Sequence, residues 1–193
     1  MSQSHGSIED TPPPSGAPAP TGARRRWTPV AALVVLAVAA MGGVAFHRFG
    51  LQDEIPIIEH SRMIHGSGGL WLPFLKPYWP PPFSPDLYRP LSLVFFTLQW
   101  AAGDGAIQLF HVLNLVLYVL TVTVVWRLAR LMLPELGAWA AAALFAVHPV
   151  HVEAVALSIN QSETRVALGM ISAVGLYVDW RRHPDLRPRT PWA

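Results

Sequence analysis

Two groups of ionisable residues stand out because each follows a run of apolar residues. Asp53 and Glu54 come soon after the first run, in HRFGLQDEIPIIEH, and the segment HPVHVEAVA places His148, His151 and Glu153 directly after a later run. Carboxylates in such positions can take a proton from an acceptor hydroxyl or hold a cation. Ionisable groups at membrane depth are costly unless they are used, so this pattern indicates chemistry at one face of a bilayer.

Each group also fits a structural interpretation, in which Asp53 and Glu54 begin a solvated loop and the histidines end a helix in water. On an ideal helix His148 and His151 share a face, whereas Glu153 does not, and Pro149 disturbs the turn. The segment is therefore not an HExxH zinc site, and no complete metal site is predicted. A two-histidine site completed by a carboxylate from elsewhere is left open, as is a divalent cation.

Two arginines beside apolar segments are candidate phosphate ligands. Arg89 lies in YRPLS and Arg165 ends SETR. A guanidinium binds phosphate through two parallel hydrogen bonds, and it also anchors to lipid headgroups. The aromatic loop before Arg89, which contains Trp71, Tyr78 and Trp79, suits the headgroup zone.

A polar stripe crosses one apolar segment at helical spacing and so lines one face of a helix. Its members are Gln108, His111, Asn114 and Tyr118. Hydrogen bonding between helices is the favoured role for Asn114 and Tyr118. His111 lies near the depth of the acidic groups and is a candidate binding residue.

Composition predicts the solvent of these segments. Apolar residues make up 52% of the chain and charged residues 13%, which is too apolar for one soluble core of 193 residues. The chain has no cysteine, which excludes disulfides and cysteine-based sites. The net charge of +2 does not indicate a nucleic-acid partner, because the arginines cluster beside apolar runs and are better explained by orientation in a membrane.

The predicted fold is an all-α, polytopic membrane helix bundle with about four spans and a long exoplasmic first loop. An apolar stretch of about 20 residues crosses the hydrocarbon core. The first stretch is read as an uncleaved anchor rather than a signal peptide. The predicted segments are a disordered tail 1–26, spans 27–46, 107–126, 137–157 and 166–180 within a membrane domain 27–182, the loop 47–90 with one or two short helices, a short interfacial helix 91–102, and a tail 183–193.

Arginine placement predicts the orientation. With four spans, both tails and the turn after the second span lie on one side, which the positive-inside rule makes cytoplasmic. Both acidic groups then lie on the exoplasmic side. The arginines of the cytoplasmic side are Arg24, Arg25, Arg26, Arg127, Arg130, Arg181, Arg182, Arg187 and Arg189.

The order of motifs resembles a known group of enzymes. Asp53-Glu54 after the first span is followed by PYWPPP, YRPLS, FHVLNLVLY, and LFAVHPVHVEAVA with a charged SETR. This order, from about Trp27 to Trp180, resembles the N-terminal membrane region of the transmembrane and tetratricopeptide-repeat O-mannosyltransferases and their bacterial relatives, in the GT-C glycosyltransferase superfamily. YRPLS and HPVHVEAVA are its most specific parts.

The resemblance implies a bacterial inner-membrane enzyme that passes a sugar from a polyprenyl-phosphate donor to an exoplasmic protein or glycan and inverts the anomeric carbon. It implies Asp53 as the catalytic base and Glu54 as a support or cation ligand. The residues that it implies for binding the donor phosphate or orienting the acceptor are Arg89, His111, His148, His151, Glu153 and Arg165.

Three departures keep enzymatic activity open as a prediction. Relatives often have two aspartates where this chain has Asp53 and Glu54, they have more spans, and they carry helical repeats of about 34 residues that are not visible here. The sequence therefore also fits a truncated product, one half of an assembly with a partner subunit, or an inactive remnant. The alternative function is a noncatalytic membrane scaffold. A small transporter is disfavoured, because the polar groups gather at one rim.

Overall fold

A computed structural model describes residues 22–43, 53–66, 69–83 and 87–183, with the side chains of residues 22–28 excepted. Over these ranges the chain forms helices and turns with no strand, which confirms the all-α prediction. Two short helical turns, Ile55–Glu59 and Leu72–Phe74, lie in the loop before α2, as predicted. The helices are α1 (Gly22–Met41), α2 (Pro90–Gly103), α3 (Ile107–Arg130), α4 (Glu135–Val147), α5 (Val152–Ala156) and α6 (Gln161–Arg182).

The first helix begins earlier than the sequence predicts. It starts at Gly22, so residues 22–26 of the predicted tail are helical. Alanine and arginine are good helix formers, so an apolar helix can continue backward through them. Residues 1–21 of the tail, 44–46 of the predicted first span and 184–193 of the second tail lie outside the described residues.

Of the described helices, α3 alone has both the length and the apolar composition to cross a bilayer by itself. The pair formed by α4 and the segment Pro149–Ala156 passes the same test together, although it bends by 49° at the break. The apolar part of α1, Pro29–Met41, and α2 are shorter apolar helices. The described residues thus contain one helix of membrane-crossing character, or two if the bent pair counts as one span.

The third predicted span, 137–157, is broken after α4, where the sequence indicates that Pro149 disturbs the turn. His148 ends α4 in an extended conformation, with φ −69° and ψ 127°. Pro149 explains this, because proline lacks a backbone N–H and disfavours the helical conformation in the residue before it. The chain then makes one 3-10 turn, Pro149–His151, before α5.

Two residues of the polar stripe on α3 bond to carbonyl groups at the ends of α4 and α5, where the helices leave carbonyls without partners. Asn114 Nδ2 lies 2.9, 2.8 and 3.2 Å from the carbonyl oxygens of Ala154, Val155 and Leu157. The Tyr118 hydroxyl likewise donates to the last turn of α4, at 3.1 and 3.0 Å from two carbonyl oxygens. The predicted role of Asn114 and Tyr118 in bonding between helices is confirmed.

Replacing Asn114 with leucine should destabilise the bundle by about 2 kcal/mol or more, because buried carbonyls would lose their donor. The measurement is the free energy of unfolding of the purified chain in detergent. Thr123→Val is the matched control, since the Thr123 hydroxyl bonds only to Val119 O on its own helix. A loss for Asn114→Leu as small as that of the control would contradict this role.

Helices α1, α3, α4 and α6 alternate in direction. Trp139 Nε1 donates to Pro29 O at 3.2 Å, so α1 and α4 begin at the same end of the bundle. Gln161 Nε2 donates to Phe110 O at 2.9 Å, so α3 and α6 begin together at the opposite end. Alanines recur every fourth residue on the buried face of α4 and let neighbouring helices approach closely. These residues are Ala138, Ala142 and Ala146.

The loop before α2 folds back onto α2 and α3 rather than extending away from them. Ile57, Ile58 and Tyr78 are buried in one apolar cluster with Phe96 and Phe110. Tyr78 is 3% exposed, because its ring packs in this cluster. This folding fixes the position of the acidic pair at the start of the loop.

Candidate functional site

A groove of about 800 Å³ lies between the start of α2 and the start of α6. The structure therefore brings Arg89 and Arg165, two predicted phosphate ligands from distant parts of the sequence, to one groove. Ser162 and Glu163 also line it. Its apolar lining includes Pro90, Leu91, Phe95, Val166, Ala167 and Met170.

Arg89 is held in place by contacts to two sides. It precedes Pro90 and has a nonhelical conformation at the start of α2. Its Nη1 donates to Ser162 Oγ at 3.3 Å, and its Cζ lies 5.6 Å from the centroid of the Tyr78 ring. A guanidinium over an aromatic face is attracted by the ring, so the side chain is preorganised beside the groove.

Arg165 carries the least satisfied polar group of the groove. Its Cζ lies 4.5 Å from the centroid of the Phe95 ring. Its Nη2 is buried and has no hydrogen-bond partner among the residues that the structure describes. A guanidinium stays charged at neutral pH. A buried, charged donor without an acceptor is costly, so an anion in the groove would stabilise this arrangement.

Tyr78 is a buried phenol that interacts electrostatically with Asp53 and with charged residues of the groove. Burial raises the pKa of Tyr78 to about 12, Arg89 and Arg165 lower it, and Asp53 and Glu163 raise it. The phenol therefore stays neutral at physiological pH. Asp53 and the two arginines therefore act on the same buried ring.

Glu54 is part of the scaffold that positions Asp53. Its side chain is 1% exposed, and Oε1 accepts a hydrogen bond from Ser158 N at 2.6 Å. Ser158 Oγ in turn lies 3.4 Å from His111 Nδ1. This buried series ties the loop to α3 and to the turn that leads into α6. His111 therefore lies in the interior, away from the groove where a donor phosphate was expected to meet it.

A reciprocal amide pair holds α2 against α6. Gln99 Nε2 donates to Gln161 Oε1 at 2.9 Å, and Gln161 Nε2 donates to Gln99 Oε1 at 3.0 Å. Both side chains are buried. Arg165 lies one turn after Gln161 on α6, so the pair sets the separation of the two arginine-bearing elements.

Single substitutions Gln99→Leu and Gln161→Leu should each destabilise the chain by about 1 to 3 kcal/mol, because each leaves the other amide buried and unpaired. The double variant should lose less than the sum of the two. Unfolding free energies of the four proteins measure the coupling. Strictly additive losses would show that the two amides do not act as a pair.

The HPVHVEAVA residues lie apart from the groove. His148 is exposed, and its Nδ1 accepts the N–H of Val150 at 3.2 Å. The His151 ring packs 4.2 Å from the centroid of the Phe145 ring, and Glu153 is exposed. The groove lining includes none of the three. Among the described residues, no three His, Asp or Glu side chains form a group that could hold a metal ion.

The sequence did not single out Tyr78, Gln99 or Gln161 for the roles that they have here. Gln99 had a usable signal, since it is a lone amide in the strongly apolar segment PLSLVFFTLQW. Gln161 and Ser158 stand in a polar turn, where such residues are ordinary. Their partners come from other helices, so no local pattern identifies them.

Several curated proteins are similar in sequence to this chain. Protein O-mannosyl-transferase TMTC3 of Mus musculus is 29% identical over 125 residues, which is 63% of this chain. Protein O-mannosyl-transferase Tmtc1 of Drosophila melanogaster is 36% identical over 97 residues, or 50% of the chain, and Tmtc2 of the same species is 33% identical over 116 residues, or 57%. The chain is similar to the animal protein O-mannosyl-transferases. This similarity confirms the resemblance inferred from the sequence.

The match covers a small part of these transferases. It spans 14% of TMTC3, 11% of Tmtc1 and 12% of Tmtc2. No family model matches the chain, and no solved structure matches it.

Proposed function

We propose that this chain forms part of a membrane glycosyltransferase that moves a sugar from a polyprenyl-phosphate donor to an acceptor on the exoplasmic side. The observation that carries the proposal is the buried, unpartnered Nη2 of Arg165 in a groove shared with Arg89. Phosphate oxygens provide acceptors for both guanidinium groups. Asp53 acts electrostatically on the same buried Tyr78 phenol as the two arginines.

The proposal includes four passes through the membrane, which would put the groove at the exoplasmic rim. These passes are α1, α3, the bent pair α4–α5, and α6, and their alternating directions agree with successive crossings. Both termini are then cytoplasmic. The outward faces carry exposed apolar side chains that suit lipid. Examples are Val35, Leu120, Leu144 and Leu176.

The groove suits a ligand with a charged end and a long apolar part. Arg89 and Arg165 bind the phosphate, and the wall formed by Leu91, Phe95 and Met170 contacts the polyprenyl chain. Pockets that combine an apolar lining with a few convergent polar groups are typical of small-molecule sites. Glu163, exposed at the rim, lies where sugar hydroxyls would meet a hydrogen-bond acceptor.

The reaction is a single displacement. Asp53 accepts the proton of the acceptor hydroxyl as that oxygen bonds to the anomeric carbon. The bond from this carbon to the phosphate oxygen breaks on the opposite face, so the configuration inverts and polyprenyl phosphate leaves. The leaving phosphate gains negative charge, and the two arginines stabilise that charge in the transition state. Glu54 keeps Asp53 in place through Ser158.

The sugar and the acceptor are proposed from the names of the relatives. They are called protein O-mannosyl-transferases, and we therefore take mannose as the sugar and a hydroxyl side chain of a protein as the acceptor. The proposal does not require a metal, because the two guanidinium groups provide the positive charge that balances the leaving phosphate.

Photolabelling tests where the donor binds. A photoreactive analogue of polyprenyl-phosphate mannose, added to membranes that contain the protein, should label peptides from the start of α2 and the start of α6. Unlabelled polyprenyl phosphate should compete, and an uncharged polyprenol should not. Labelling that is spread over all apolar helices, or that polyprenol removes equally well, would contradict the proposal and favour a noncatalytic scaffold.

A further inference from the structure

A second, smaller groove lies between the last turns of α3 and α6, at the opposite end of α6 from the arginine groove. Its volume is about 270 Å³, which equals the volume that roughly nine water molecules take up in the liquid. Arg127, Ser172 and Asp179 supply polar groups, and Gly175 lies in the wall. The apolar lining consists of Val124, Leu128, Leu131 and Leu176.

Opposite charges face this groove without neutralising one another. Arg127 is exposed and forms no ion pair among the described residues, and the Asp179 carboxylate is half-buried. Asp179 contacts His183, with 3.5 Å between Oδ1 and Nδ1. A ligand that carries both an anion and a cation would satisfy the two walls at once.

Gly175 creates the room for such a ligand. A Cβ atom added at this position would meet no atom within 4 Å, so the space beside it is open. Both charged residues lie within the last turns of helices that begin at the same end, so they lie at one depth. In the membrane placement proposed above, that depth is the cytoplasmic headgroup zone, where basic pockets between helices bind lipids.

We propose that this groove binds a zwitterionic phospholipid whose headgroup carries a phosphate and a primary ammonium, as in phosphatidylethanolamine. Arg127 binds the phosphate, Asp179 accepts hydrogen bonds from the ammonium, and an acyl chain lies along Val124, Leu128 and Leu176. Asp179 opposes anionic headgroups by repulsion. A quaternary ammonium offers it no N–H, so a choline headgroup binds less well. This inference rests on the membrane placement alone and not on sugar transfer.

The test is retention of defined lipids by the purified full chain in mild detergent, measured by native mass spectrometry. Phosphatidylethanolamine should be retained about tenfold better than phosphatidylcholine or phosphatidylglycerol with the same acyl chains, as one charge-assisted hydrogen bond implies. Gly175→Leu, which fills the groove and leaves both charges, should remove this preference. Asp179→Asn should remove the preference over phosphatidylglycerol.

Gly169→Leu is the matched control, since Gly169 lies on the same helix, is equally open, and does not line the groove. It should retain lipid as the unmodified chain does. Equal retention of the three lipids, or an unchanged preference in Gly175→Leu, would overturn the proposal. A dimer that Gly175→Leu dissociates would overturn it too, because a second copy would then cover the groove. The lipid-retention measurement contains no sugar donor, so its outcome does not depend on whether the protein transfers a sugar.

Discussion

Asp53→Asn is expected to lower the rate of sugar transfer at saturating donor by about a hundredfold to ten-thousandfold, the usual contribution of a general base. The amide keeps the size of the side chain and cannot take the proton of the acceptor hydroxyl. The neighbouring Glu54 cannot replace it, because its carboxylate is buried and bonded to Ser158 N. The donor KM should change little, since Asp53 does not line the groove.

Asp104→Asn is the matched control for this substitution. Asp104 follows α2 with φ 48°, a left-handed conformation that asparagine adopts readily. Transfer by this variant should equal that of the unmodified protein. Transfer by Asp53→Asn within about threefold of the unmodified rate, well below the effect of a general base, would remove Asp53 from the mechanism.

Arg165→Gln should raise the donor KM by about tenfold to a hundredfold and should also lower kcat. The range follows from losing one charge-assisted hydrogen bond to the phosphate, worth about 1.5 to 3 kcal/mol. The fall in kcat follows because the same guanidinium stabilises the departing phosphate. Arg165→Lys should recover part of the loss, since lysine keeps the charge without the planar fork.

Initial rates across donor concentrations separate the two effects. Arg182→Gln serves as the control, because Arg182 is exposed at the other end of the same helix. That variant should keep both constants. An unchanged donor KM in Arg165→Gln, with the protein folded, would show that the groove does not hold the phosphate.

The sequence proposes Arg89 and Arg165 one by one as phosphate ligands, and it does not show that they line one groove. Arg89 and Arg165 stand beside motifs that are informative locally, so residue type and position suffice to propose them. Their meeting in one groove depends on how α2 packs against α6, which a pair of buried glutamines determines. Such pairing depends on tertiary contacts that a single sequence does not encode locally.

The histidine motif is conspicuous in the sequence but contributes no residue to the groove. HPVHVEAVA is the most distinctive segment of the chain, and yet its histidines lie outside the groove. In the structure the helix breaks at Pro149, and Tyr118 and Asn114 on α3 bond to carbonyl oxygens at the ends of α4 and α5. The polar stripe on α3 was visible in the sequence, and its role between helices was predicted. The sequence also indicated that Pro149 disturbs the turn, but not the size of the bend, which depends on packing around the proline.

Transfer of labelled mannose from polyprenyl-phosphate mannose to protein, by membranes from cells expressing the complete gene, tests the central claim most directly. The account predicts protein-bound label above that of membranes without the gene, released as O-linked mannose, with polyprenyl phosphate formed in equal amount. Membranes that contain the correctly inserted protein at normal levels and transfer no label above background would contradict it.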